Sequence, residues 1–523
     1  MCSKLRSYKK EVKDSIADRF IITISTNIVK SGLNFVTTML LARWLGPEDF
    51  GGMAFLIGSF AALKALTDMS SSAAFFTFIS QSPKSTKFIS YYWGWIAFQL
   101  IVIITIIFFL IPGSLLEEIW GDTEKTLLIL ALIAVFMQNT IWADVVQMAD
   151  AARETKKIQA IAVSIFLVHF LVVVALWYTG TLAVPLVLGA TIIEFGVASW
   201  LAFSLYRPSS RAISAGNNKP DRFAKVFKMF AVYCLPLIPY GWLSFTHDFG
   251  DRWMLQSWGG SLEQAYFAVA TQISGVVLLV TSAILRIFWK EIAEANKSGD
   301  LDYVRLLYLK TSRLIYVAGC LFVGLLVPWA DEIVYLLLGE EYVEGSIALM
   351  IMLFYPVHQA LGQINAAMYY ATENIAAYTV IGSFFMLLGL GASYFALAPQ
   401  DAYIPGMSLG ASGLAVKMVL VQVIGVNVSS LFLARKFKWK YKLSFQFSAL
   451  GFFVGAGFIV HYLCMLVLGC FLSTSSIMFM ALICYIILSG MGIFLFPCII
   501  GQTRSDILSI GVRFKLLLQS ISR

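Results

Sequence analysis

Apolar positions in this chain are gathered into long, nearly uncharged runs, and polar positions are confined to the gaps between them. A helix needs about 20 apolar residues to cross the hydrocarbon core of a bilayer. Scanned at that length, the 523 residues hold about fourteen runs: 20–43, 52–79, 88–111, 126–149, 158–178, 181–205, 229–248, 262–288, 310–329, 343–369, 374–397, 408–434, 443–469 and 475–500. The pattern predicts an all-α, polytopic integral membrane protein of about 14 transmembrane helices. The gaps are too short to hold a catalytic domain.

Charge orients the runs. Lys and Arg fall in every second gap: Lys4, Arg6, Lys9, Lys10, Lys13 and Arg19 before the first run, then Lys84 and Lys87, then Arg153, Lys156 and Lys157. Further basic groups run from Arg207 to Lys228, from Arg286 to Arg313 and from Arg435 to Lys442. The alternate gaps carry Glu48 and Asp49, then Glu117, Glu118, Asp122 and Glu124, then Asp331, Glu332, Glu340, Glu341 and Glu344. Basic residues near helix ends resist translocation, so both termini are expected in the cytoplasm and the number of spans is expected to be even. The gap near Glu373 departs from the pattern, with no basic residue on the inside.

Hydrophobic residues make up 59% and charged residues 13% of the chain, and mean hydropathy is +0.80, which excludes a soluble domain. The net charge of +8 is accounted for by topology and by attraction to anionic inner-leaflet lipid, so no nucleic-acid partner is called for. The basic start leads through an amphipathic stretch into a full-length span, which predicts no cleavable signal. Seven cysteines lie at the start or in and beside spans, and no disulfide framework is expected.

Two echoes suggest a duplicated six-span unit. Arg43-Trp44-Leu45 with Gly51 is echoed by Arg252-Trp253-Met254 with Gly259-Gly260, and Ala152-Arg153-Glu154-Thr155 by Ala371-Thr372-Glu373-Asn374. Such repeats are common in transporters. The expected division is a cytoplasmic segment at 1–19, a six-helix bundle at 20–205, a basic linker at 206–228, a second six-helix bundle at 229–434, two additional helices at 443–500 and a cytoplasmic tail at 501–523.

Polar residues inside the runs carry the functional signal. In the first span Thr23, Asn27, Lys30, Asn34 and Thr37 recur at three- and four-residue steps on one helical face, with Lys30 near the expected middle. Lys64 and Asp68 are spaced to pair in the second span, and Asp144 and Glu194 are carboxylates of the fourth and sixth. Each carboxylate can serve as a coupling group or as glue between helices. Lys417 in the twelfth span can face Lys30 and Lys64 across a central cavity, with Arg252 at the outer mouth and Arg286 at the inner one. Pro236 and Pro239 predict a bend in the seventh span. His169, His358 and His461 have no metal-ligand spacing and read as core or interface residues. A cavity of amides, hydroxyls and lysines suits an anionic, sugar-bearing head group. No catalytic, metal or nucleotide motif occurs, so no cofactor is expected, and energy should come from H+ or Na+ or from substrate concentration.

The stretch from Leu41 to Gly51, Leu-Ala-Arg-Trp-Leu-Gly-Pro-Glu-Asp-Phe-Gly, closely resembles the signature of oligosaccharide flippases in the multidrug/oligosaccharidyl-lipid/polysaccharide (MOP) exporter superfamily. Asp251-Arg252-Trp253-Met254-Leu255 with Gly259 and Ala265-Tyr266-Phe267-Ala268 is a second, less specific match. The resemblance implies two six-helix bundles around a central cavity plus two extra C-terminal helices, working by alternating access in the inner membrane on an undecaprenyl-diphosphate-linked oligosaccharide. It also implies polymerase and glycosyltransferase partners and a diphosphate held in a cationic cavity; Lys30, Lys64 and Lys417 match no family motif and are the positions that spacing and depth offer for that role. Other readings are a drug/cation antiporter, disfavoured by the absence of an acid between Phe20 and Ala42, a peptidoglycan-precursor flippase, and a membrane polymerase or ligase. The last usually needs a large outer loop with Arg or His.

Overall fold

The computed structural model describes residues 2–82, 84–121, 123–152, 154–205, 222–441, 443–469 and 471–497. The expected linker at 206–228 lies mostly outside them, the tail at 501–523 wholly so, and side chains are not described for 2–21 or for Arg286. In chain order the helices are α1 (Cys2–Asp68), α2 (Ser71–Gln81), α3 (Thr86–Thr105), α4 (Gly113–Trp120), α5 (Lys125–Phe136), α6 (Ala143–Ala151), α7 (Thr155–Tyr178), α8 (Val184–Leu205) and α9 (Phe223–Cys234). There follow α10 (Ile238–Ser298), α11 (Leu301–Leu326), α12 (Ala330–Leu338), α13 (Ser346–Met352), α14 (Tyr355–Ala371), α15 (Ile375–Leu397), α16 (Gly410–Lys436), α17 (Ser444–Leu468) and α18 (Thr474–Leu495). Among the described residues every regular element is helical, as hydrocarbon demands of any open chain crossing it.

Among the described residues, twelve stretches are long and apolar enough to cross a membrane. Two of them, 22–68 and 223–278, are bent double-length helices, which reconciles twelve stretches with the fourteen expected runs. The bends are alike: Gly46 has φ 79 and ψ 167, and Gly260 has φ 74 and ψ −174. Positive φ with extended ψ is glycine's territory, so each reversal between spans rests on that residue. The expected bend at Pro236 is present as a single 3₁₀ turn, Leu235–Leu237, between α9 and α10.

The two bent helices belong to the echoed motifs, and they touch. A Cβ on Gly51 would lie 1.8 Å from the Ser261 carbonyl oxygen and 3.0 Å from the Ala265 nitrogen. Gly51 and Ala265 share the offset that separates Gly46 from Gly260, so the two motifs meet at corresponding positions. The second echo also has a structural basis. Ala152 N–H donates to the Met148 carbonyl at 3.0 Å and Glu154 N–H to Ala149 at 2.9 Å; Thr372 and Asn374 donate likewise to Met368 at 3.0 Å and Tyr369 at 2.8 Å. The register thus matches Ala152 with Thr372, one residue beyond the match suggested by the sequence.

The chain divides into two compact units, 1–265 with 393–410, and 266–392 with 411–523. The first includes the seventh span, because Gly241 packs on the Ala65 carbonyl and Phe78 meets Phe230 edge-on. Its interior holds two apolar clusters, one of Phe75, Phe88, Tyr92 and Ile96 and one of Trp142, Ile158, Phe195 and Ala198, with Trp93 packed against both. In the second unit Ile292, Val304, Ile364, Met368 and Leu433 form the main core. There the α17–α18 hairpin seats on α11: a Cβ on Gly457 would fall 1.8 Å from the Gly324 carbonyl, and Tyr485 donates to the Leu321 carbonyl at 3.1 Å.

Replacing Gly51 with Ala forces backbone against backbone and is expected to cost about 1–3 kcal/mol or to abolish folding. Gly52→Ala, whose Cβ meets only the Ser261 hydroxyl at 3.7 Å, is expected to be neutral or stabilising. Thermal melting of the two purified variants checks the contrast, and equal melting would remove the Gly51 contact from the list of folding constraints.

Candidate functional site

Depth follows from helix geometry. At 1.5 Å per residue, Asn34, Lys30 and Asn27 lie about 18, 24 and 28 Å along α1 from the Gly46 bend. Lys30 is therefore nearer the end of the span that carries the basic loops than its middle, a correction to the reading from run length alone. The expected polar face divides in two. Asn27 and Asn34 are exposed, whereas Lys30 is partly buried against α7, where its ammonium donates to Gln159 Oε1 at 3.0 Å. The Thr26 hydroxyl donates to the same oxygen at 3.0 Å.

Three of the expected residues come together around the end of α1. Asp68 does not pair with Lys64. Its Oδ1 accepts from the Ser72 backbone N–H at 3.0 Å, the Ser71 hydroxyl at 2.9 Å and the Ser72 hydroxyl at 2.8 Å. This cap restarts the second span as α2 after Met69 and Ser70 take left-handed φ values of 48 and 63. Lys64 instead donates to the backbone carbonyl of Asn139. That carbonyl belongs to a π-helical segment, Met137–Trp142, whose wider turn departs from the α-helical ladder and lets an ammonium in. Directly after it comes Asp144, wholly buried, with Oδ2 accepting from the Tyr92 hydroxyl at 2.8 Å and Oδ1 without a partner. Tyr92 also reaches Ser72 at 3.3 Å, and Trp95 donates to Ser71 at 3.2 Å. Lys64, Asp68 and Asp144 thus share one polar knot inside the first unit, within electrostatic reach of each other.

The remaining residues stand apart. Glu194 on α8 accepts from His169 on α7, with Nδ1 to Oε2 at 2.8 Å. Arg252 lies over Gly58, where a Cβ would come within 2.2 Å of its Nη1, and it feels the carboxylates of Asp248 and Asp251. It is part of a charge cluster with His247, which pairs with Asp248 at 2.9 Å, and Ser393, which donates to Asp251 at 2.5 Å. Lys417 is buried in α16 of the second unit. In that unit the polar tenth span is bonded from helix to helix: Asn365 accepts from Tyr308 at 2.7 Å and donates to Ser430 at 2.9 Å, and Gln422 donates to Gln359 at 2.6 Å.

Sequence reasoning passed over Gln159 and Tyr92 and read His169 only as a core or interface residue. Tyr92 sits in an apolar run with nothing to mark it. His169 did carry a signal, because it and Glu194 are nearly equidistant from the turn between α7 and α8 and so must lie level in an antiparallel hairpin.

Fold and buried polar network together define a class, multi-pass membrane proteins with the MOP transporter architecture. The lipid II flippase MurJ in an inward closed conformation matches with a TM-score of 0.65 and 14% identity, over 91% of this chain and 98% of that one. An inward-facing multidrug resistance MATE family transporter matches with a TM-score of 0.58 and 15% identity over 80% and 98%. A MOP superfamily transporter from Pyrococcus furiosus matches at 0.54 and 17% over 82% and 96%. Identities this low establish the fold alone. No curated protein matches the chain by sequence. The family model for polysaccharide biosynthesis proteins matches residues 16–287, more than half of the chain, and the chain belongs to that family.

Tyr92→Phe removes the hydroxyl that donates to the buried Asp144 and is expected to lower stability by about 1–2 kcal/mol. Ser72→Ala, after which Asp68 keeps the Ser71 hydroxyl and the Ser72 N–H, is expected to cost less. Unfolding in detergent distinguishes them, and a neutral Tyr92→Phe would show that Asp144 is satisfied elsewhere.

Proposed function

We propose that the protein is a flippase of the cytoplasmic membrane, both termini inside, that carries an undecaprenyl-diphosphate-linked oligosaccharide repeat unit across the bilayer for O-antigen, capsule or exopolysaccharide synthesis. The observation that carries this reading is the exposure of Asn34, an amide about 18 Å along its helix from the Gly46 bend and so within the span, with Asn27 exposed on the same helix nearer the basic-loop end. Amides facing lipid lose hydrogen bonds that hydrocarbon cannot replace, so this face calls for water or a polar cargo. Lys30 beside them and Lys64 near the same end of the bundle supply point charge for a diphosphate, while amides and hydroxyls suit sugars. Family membership points to the polysaccharide pathway, and the fold shared with a lipid II flippase fits an isoprenoid-linked cargo. The lipid tail stays in the bilayer while the head crosses by alternating access, and the chain acts as a transporter, not an enzyme. Lys417 and Arg252 are assigned supporting roles in anion binding. The division into bundles at 20–205 and 229–434 with added helices at 443–500 remains part of this reading.

Depletion of the protein is expected to build up complete lipid-linked repeat units on the cytoplasmic face; build-up on the outer face would point to a polymerase or ligase instead. Lys30→Ala and Lys64→Ala are each expected to lower flux several-fold with normal amounts of protein in the membrane. Normal flux in both would remove them from the site.

A further inference from the structure

The polar knot around Asp144 lies toward the basic-loop end of the first unit, but one titratable pair does not. His169 is nine residues before the end of α7 and Glu194 ten after the start of α8. At 1.5 Å per residue each sits about 14–15 Å from the connecting turn, half-way through a hydrocarbon core about 30 Å thick. His169 Nδ1 is 2.8 Å from Glu194 Oε2, and the other carboxylate oxygen, Oε1, is buried with no hydrogen-bond partner. The neighbourhood is apolar: Phe166 meets Phe195 edge-on, and Met137 packs at Gly196.

Charged groups on the surrounding elements are placed at other levels. On α1 they are Lys30, engaged with Gln159 about 15 Å further along α7, Arg43, Glu48 and Asp49 beside the Gly46 bend, and Lys64 and Asp68 in the polar knot at its far end. On α5 the charge is Lys125 at the first residue, on α6 Asp144 and Asp150, and on α7 itself Lys156 and Lys157 in the first turn. The π-helical segment Met137–Trp142 that packs on α8 has none.

We propose that His169 and Glu194 form a proton-binding site at mid-membrane and that its occupancy couples transport to a proton gradient. The coupling rests on the transport function proposed above; the proton binding does not. Neutral imidazole beside a carboxylate carries one net negative charge, and adding a proton makes the pair neutral overall. Hydrocarbon tolerates the neutral form and penalises the charged one, so the loaded pair favours a conformation sealed from water and the empty pair one that admits it. A ligand that binds two conformations unequally shifts the balance between them. The chemistry selects a proton over a sodium ion. A hard cation takes several oxygen ligands, whereas this site offers one carboxylate and an imidazole beside the apolar side chains of Phe166, Phe195 and Met137.

The test uses the full-length protein in lipid nanodiscs and in vesicles. In nanodiscs, the infrared difference spectrum between mildly acid and mildly alkaline buffer is expected to contain carboxyl and imidazole bands that disappear in Glu194→Gln and change in His169→Gln. The same bands should persist in His461→Gln, whose partner Glu332 lies 3.5 Å away in the other unit. A Glu194→Gln spectrum identical to that of the parent overturns the proposal. In vesicles loaded with a lipid-linked oligosaccharide, an imposed pH gradient is expected to accelerate crossing several-fold in the parent. In Glu194→Gln and His169→Gln the gradient should have no effect, while exchange without a gradient continues; retained gradient dependence in both variants overturns the coupling. A parent protein that moves no lipid-linked oligosaccharide would sink the flippase reading and the coupling with it, leaving the infrared result to decide proton binding. Melting of both variants near the parent temperature establishes that they are folded.

Discussion

Hydrocarbon offers no hydrogen bonds, and each feature of this chain can be traced to what it does about that. The backbone answers by remaining helical through every described span. Side chains that cannot remain apolar answer by finding partners within the protein. Asp68 gathers three donors from the start of α2, Lys64 takes a carbonyl exposed by a π-helical turn, and Asn365 bridges three helices. Where a polar group has been left exposed on a span, as at Asn27 and Asn34, the same constraint makes the exposure informative, because lipid is the one surrounding that those amides cannot face cheaply.

Helices that share no hydrophobic driving force must associate through close packing, and here glycine supplies it. Gly51 against Ser261 and Gly324 against Gly457 bring backbones to distances that a methyl group would forbid. Gly46 and Gly260 turn the chain back with nearly the same dihedral angles in the two copies of the repeated motif. The repeat is faint as sequence because lipid-facing positions accept almost any apolar residue. It survives where geometry is demanding, at two bends and at the helix ends near Ala152 and Thr372, with one register difference that short apolar matches could not have resolved.

Much of the fold was legible because membrane topology is written in two coarse signals, run length and basic-residue placement, that need no knowledge of packing. The family was legible in the stretch from Leu41 to Gly51, whose Gly46 and Gly51 turn out to be the positions where the backbone admits no substitute. The site was less so. Spacing along one helix set Lys64 beside Asp68 and had nothing to say of Asp144 on another helix, and it misassigned the bond, since a four-residue spacing says that two side chains are neighbours and not that no better partner stands on the next helix. Asp68 preferred backbone and hydroxyl donors; Lys64 preferred the Asn139 carbonyl. Gln159 and Tyr92 could not have been found, because their importance comes entirely from the helices they face.

Placement of charge along the membrane normal separates the polar groups by the work they can do. Lys30, Lys64, Asp68 and Asp144 lie toward the end bearing the basic loops, whereas His169 and Glu194 lie half-way across. In the flippase reading proposed above, a diphosphate entering from that side would meet cations held by amide or carbonyl oxygens and would exchange those neutral acceptors for phosphate without stranding a carboxylate. Had Lys64 been paired with Asp68, as the spacing suggested, binding an anion would have meant breaking an ion pair first. The cap that occupies Asp68 therefore has a consequence beyond the shape of the second span: it leaves the nearby cation bonded only to a neutral oxygen, in the condition in which a new anion can compete for it.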